Sequence, residues 1–76
     1  MIGQQMLYTV KEVAEILKTN VDYVHKLRRS GQLPFIKLGQ YKVRHETLNE
    51  FLRNNEGKDL TDPYNIKELT DGKNQH

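Results

Sequence analysis

The chain has 76 residues and a formal net charge of +2, a length that allows one domain with a modest core and argues against an elaborate enzyme. It has no cysteine, so disulfides and thiolate zinc sites are excluded, and a reducing, cytoplasmic setting is expected. No apolar run approaches the roughly 20 residues of a membrane span, and the start has none of the charged and apolar pattern of a signal peptide, so neither export nor membrane insertion is expected.

Residues 1–6 have no hydrophobic period and are expected to be a flexible N-terminus. Thr9 followed by Glu12 matches a capping box, which predicts a helix from Val10 to about Lys18. Val10, Val13, Ala14 and Leu17 then form a buried stripe, with Lys11, Glu15 and Lys18 outside. Only Thr19 and Asn20 precede the next helix. So short a link suits a sharp helix-turn-helix crossing, and the small Ala14 lets the second helix approach closely. That second helix is capped by Asn20 and stopped by Gly31. Steps of 100° turn Val24 and Leu27 inward and Asp22, Lys26 and Arg29 outward.

Gln32-Leu33-Pro34 leads into an extended segment, because Pro34 lacks a donor and disfavours helix in the residue before it. Phe35–Leu38, Gly39-Gln40 and Tyr41–Arg44 read as a hairpin with a two-residue turn. In that register Leu38 pairs with Tyr41, Lys37 with Lys42 and Ile36 with Val43. Ile36, Leu38, Tyr41 and Val43 then share the core face, and Lys37, Lys42 and Arg44 share the other. Like charges opposed across a ladder are mildly destabilising, and a bound anion would remove that penalty; the alternative is that the lysines guard the edge in solvent. Leu48, Phe51 and Leu52 predict a third helix from about Glu46 to Asn54, closing the core of a domain over 7–55. Residues 56–76 read as an acidic, polar tail, with Asp62-Pro63 placed to open a short helix at 63–70 and the last six residues expected to be disordered.

Positive charge concentrates in the periodic part: residues 1–55 hold nine Lys or Arg against five Asp or Glu, residues 56–76 three against five. Such an excess suits a polyanion but is common in other proteins too. His25, His45 and His76 lack metal-ligand spacing. Ser30, the only serine, shares a short helix with Asp22 and His25 and has no pocket, which argues against a hydrolytic triad. The glycines form no phosphate-cradling loop. No catalysis, metal or cofactor is expected.

The elements together describe a mainly α fold with a small β-hairpin, ordered helix-helix-hairpin-helix, a winged helix-turn-helix. In that geometry the second helix enters the major groove and the hairpin follows the backbone or the adjacent minor groove. Lys26 and Arg29 would reach bases or phosphates, and Lys37, Lys42 and Arg44 phosphates. Tyr23 and His25 flank the outward face as hydrogen-bonding groups. Arg28 packs its stem and extends its head to the rim. Asp22 lies at the positive end of the helix and is read as stabilising that end in preference to accepting from a cytosine amino group.

Three stretches carry a family resemblance: Tyr8-Thr9-Val10-Lys11-Glu12-Val13-Ala14-Glu15-Ile16-Leu17, Val24-His25-Lys26-Leu27-Arg28-Arg29-Ser30-Gly31-Gln32-Leu33-Pro34, and Ile36-Lys37-Leu38-Gly39. With Leu48 and Phe51-Leu52 they make residues 7 to 54 similar to the excisionase-type, MerR-like winged helix-turn-helix domain family. The resemblance implies double-stranded DNA as ligand and a small phage or mobile-element protein that helps an integrase excise DNA, or a related transcription regulator. A protein-interaction adaptor that has kept the fold without the ligand is the alternative from another class. Three features depart from the family. Lys18 stands where the family often has Gly, Gln40 and Tyr41 occupy a wing tip that is often basic, and no heptads follow residue 55. A monomer in solution is therefore expected, its tail meeting a recombinase or a neighbouring copy on DNA, or folding back on the domain.

Overall fold

The computed structural model describes residues 6–69, in the order β1 (Leu7–Thr9), α1 (Val10–Ile16), α2 (Val21–Arg29), β2 (Ile36–Leu38), β3 (Gln40–Arg44), α3 (His45–Asn54), β4 (Lys58–Asp59) and β5 (Lys67–Glu68). Helix α1 opens on the expected capping box. The Glu12 N–H donates to Thr9 Oγ1 at 3.1 Å and the Thr9 N–H to Glu12 Oε1 at 2.9 Å. The helix ends two residues earlier than the apolar stripe predicts, because Lys18 adopts φ +58°. Lys18 N–H then donates to Glu15 O and Thr19 N–H to Ala14 O, closing a Schellman motif on a residue other than glycine. Asn20 caps α2 by accepting from Tyr23 N–H at 2.8 Å. At the far end Gly31, at φ +80°, closes the same kind of motif, with Gly31 and Gln32 N–H groups reaching Arg28 O and Leu27 O.

Val13, Ala14, Val24, Leu27, Leu33, Val43, Leu48 and Phe51 form one buried cluster drawn from the three helices, the loop after α2 and the central strand. Helix α3 lies where the spacing predicts, but Leu52 sits at the rim, 41% exposed. No described helix is long and apolar enough to cross a membrane.

The first sheet has the order β1-β3-β2, all antiparallel. Strand β1, too short to announce itself in the sequence, pairs Tyr8 with Val43. On the other side of β3 the hairpin register differs from the expected one by a residue: Leu38 pairs with Gln40, Lys37 with Tyr41 and Ile36 with Lys42. Gly39 alone, at φ +74°, makes the tip. A slip of one residue moves every side chain of a strand to the other face. Ile36 and Leu38 are thus 38% and 56% exposed, sharing their face with Lys42 and Arg44, while Lys37 joins Tyr41. Phe35, edge-on to Tyr41 at 6.1 Å, fills the inward place expected for Ile36 and ties the register to an aromatic pair.

The segment after residue 56 also departs from expectation. In place of a helix from Pro63, strands β4 and β5 pair Lys58 with Glu68 and Asp59 with Lys67, opposite charges facing each other across the ladder. Asp62 caps a turn by accepting from Tyr64 N–H at 3.0 Å, and Pro63 is fully buried. Asp59 accepts from the Thr61 hydroxyl at 2.6 Å and its N–H at 3.0 Å, bonds that hold the carboxyl below its ordinary pKa. Leu60 packs against the main core. Of the N-terminal residues 1–6 expected to be flexible, Met6 is described and its carbonyl accepts from the His45 N–H at 2.9 Å, whereas residues 1–5, Thr70 and the last six residues lie outside the described residues.

Candidate nucleic-acid interface

The two-helix crossing leaves one side of α2 free. Asp22, Lys26 and Arg29 are exposed there, as the 100° steps predict. Asp22 occupies the first turn and Lys26, Arg28 and Arg29 the last, so the helix dipole favours all four where they stand, whatever they bind. A ligand must therefore be argued from how these cations meet the rest of the surface.

That meeting point is Tyr41. The Arg28 guanidinium carbon lies 4.1 Å from the centroid of its ring and Lys37 Nζ 4.5 Å, one cation from α2 and one from β2. His25 approaches the same ring edge-on at 6.2 Å, and its Nδ1 accepts from Arg28 Nε at 3.3 Å. A cleft of about 590 Å³ opens beside this cluster, with Thr9, Lys11, Val21, His25, Lys37 and Tyr41 in its walls. The starts of α1 and α2 and the wing all border it. Its cationic lining, next to the exposed front of α2, offers a path for an anionic strand.

The structure brings together Asp22, Lys26 and Arg29 on the helix front and His25, Arg28 and Lys37 around Tyr41. It separates Lys42 and Arg44 from them. Both lie on the opposite face of the wing from Lys37, and Arg44 pairs with Glu46 at 3.3 Å. The pair is exposed and contributes little to stability. Tyr23 turns away altogether: its ring packs on the core and its hydroxyl donates to the Leu60 carbonyl. Burial raises its pKa first, and the carboxylates of Asp59 and Asp62 raise it further. Sequence reasoning missed Lys11 and Tyr41 as members of the surface. Lys11 was visible as an outward residue at the start of α1, but only the crossing brings it to the wing.

Replacing Tyr23 by phenylalanine removes one partly buried hydrogen bond and should cost about 1 kcal/mol of stability in a urea titration, with duplex affinity unchanged. Since the folded-state pKa is the higher one, the stability linked to the protonated phenol is complete below the ordinary value of about 10 and is lost as pH rises through the folded value. The phenylalanine variant should therefore lose less stability than the parent above about pH 10.

Three helices with a sharp α1-α2 crossing and a β-ribbon after the second helix define a winged helix-turn-helix, a DNA-binding class of fold. The family described as "Helix-turn-helix domain" matches residues 7–56, more than half of the chain, and the chain belongs to it. No curated protein and no solved structure matches the chain.

Proposed function

We propose that this helix-turn-helix protein binds double-stranded DNA sequence-specifically, as an excisionase-like accessory factor of a phage or mobile element, with no catalysis of its own. The observation that carries the reading is the meeting of α2 with the wing at Tyr41, where Arg28 and Lys37 approach one ring beside a cleft that Lys11, His25 and Lys37 line. In this pose α2 lies in the major groove, Lys26 and Arg29 reach base edges or phosphates, and a strand of the backbone passes between α2 and the wing. Lys42 and Arg44, on the far face of the ribbon, are not part of that surface. The excisionase-like role is supported by the motif resemblance of Thr9-x-x-Glu12, Gly31-x-Leu33-Pro34 and the wing glycine Gly39. It implies an integrase or neighbouring copies on DNA as further partners. A transcription regulator would use the same surface on promoter DNA.

The test is a titration of labelled duplex at several salt concentrations, followed by footprinting on attachment-site and promoter DNA. Four phosphate contacts, from Lys26, Arg28, Arg29 and Lys37, give a slope of about −3 to −4 in log affinity against log salt. An adaptor would show no such slope. Protection confined to promoter DNA would replace the excisionase-like role by the regulatory one.

A further inference from the structure

Tyr41 lies opposite Lys37 across the wing ladder, and its ring collects one cation from α2 and one from β2. Arg28 lies 4.1 Å and Lys37 4.5 Å from one ring centroid. Among the described residues neither cation is in an ion pair. The ring itself is fixed by two edge contacts, Phe35 at 6.1 Å and 89° and His25 at 6.2 Å and 74°. The negative face of the ring attracts each cation, and neither has an acidic partner among the described residues, so both keep their charge for an anion that reaches this corner. Lys37 and Tyr41 line the cleft, so the anion that fits is a phosphodiester of the strand crossing it.

We propose that Tyr41 is a positioning residue, which couples helix α2 to the wing so that Arg28 and Lys37 grip the backbone of one strand as a unit. The proposal rests on the DNA-binding reading above and adds a claim about how two contacts depend on each other. Without the ring, Arg28 keeps only its long bond to His25 Nδ1 at 3.3 Å, and Lys37, on a short edge strand, is free to sample many rotamers. With it, both heads are ordered before the duplex arrives, and less freedom is lost on binding.

A double-mutant cycle of Arg28→Ala and Lys37→Ala, measured as duplex affinity at one salt concentration, tests the coupling. Each single variant should bind roughly tenfold more weakly, since each gives up one charge-assisted hydrogen bond to the phosphodiester. With Tyr41 intact, the double variant should also bind roughly tenfold more weakly and not a hundredfold, because removing either cation already undoes the unit. Tyr41→Phe keeps the ring and should keep the coupling; Tyr41→Leu should abolish it, so that the two effects multiply. A merely structural role for Tyr41 would lower thermal stability and leave the coupling as it was. Effects that multiply with Tyr41 intact, or coupling that survives in Tyr41→Leu, overturn the proposal, and the first of these needs no Tyr41 variant to fold. Salt-independent or absent binding by the parent protein would overturn the DNA reading and this inference together. Binding with multiplicative effects would overturn this inference alone.

Discussion

Leu27→Ala is expected to lower the unfolding free energy by about 3 kcal/mol. The side chain has no exposed surface and sits in the cluster with Val13, Val24, Leu33 and Phe51. Its truncation leaves a cavity where helix α2, the loop after it and α3 meet. Relaxation into that space is restricted, because the Leu27 carbonyl also accepts from the Gln32 N–H at 3.1 Å, the Leu33 N–H at 3.3 Å and Ser30 Oγ at 3.1 Å. The backbone at this point is held by the helix stop. A small domain has only about 5 kcal/mol to lose, and the midpoint of thermal unfolding should fall by about 12–24 °C. Urea and thermal denaturation followed by far-UV circular dichroism measure both quantities. A loss below about 1 kcal/mol would mean that α2 does not rest on this core.

The largest effect on binding is expected from Lys26→Ala combined with Arg29→Ala, which should weaken duplex affinity by about 10- to 100-fold at moderate salt. Both side chains are exposed on the front of α2, and neither is in an ion pair among the described residues, so their removal uncovers no buried partner. Losing two cations from the last turn weakens the interaction with the helix dipole by about 0.3–1 kcal/mol each, a change that thermal denaturation can register separately. Fluorescence anisotropy with mixed-sequence duplex reads the affinity. Unchanged affinity in a variant that remains folded would remove α2 as the element that reads DNA.

Helices were legible because their ends carry chemistry that acts locally. Thr9 with Glu12, Asn20 and Gly31 each satisfy backbone groups within a few residues, and the structure uses every one of them as the spacing predicts. Lys18 shows the limit of that legibility. Its left-handed backbone closes α1 although nothing in its side chain favours φ above zero, since the short link to α2 leaves no other course. The wing was harder. Ile36, Leu38, Tyr41 and Val43 alternate well enough to suggest an inner face, yet an alternation cannot distinguish a two-residue turn from a one-residue tip at Gly39.

That single residue of slip accounts for two departures at once. It turns Ile36 and Leu38 outward, and it parts Lys37 from Lys42 and Arg44. The cation cluster at Tyr41 depends on the same register together with the helix crossing. It joins residues 13 and 4 positions apart in sequence to one ring, and no local pattern announces such a meeting. The β4–β5 ribbon escaped notice for a different reason. Its strands have two residues each and are matched by charge, whereas the composition suggested only a polar tail.

That ribbon has one more effect on the molecule. The Leu60 carbonyl holds Tyr23 beneath α2, and the buried Pro63 stiffens the chain a few residues beyond, so both anchors lie past residue 56, where the family match ends. Helix α2 is thus clamped from below by a segment outside the matched domain. Inheritance and architecture draw the border in different places: cutting the chain at residue 56 would leave the Tyr23 hydroxyl without its acceptor and cost stability.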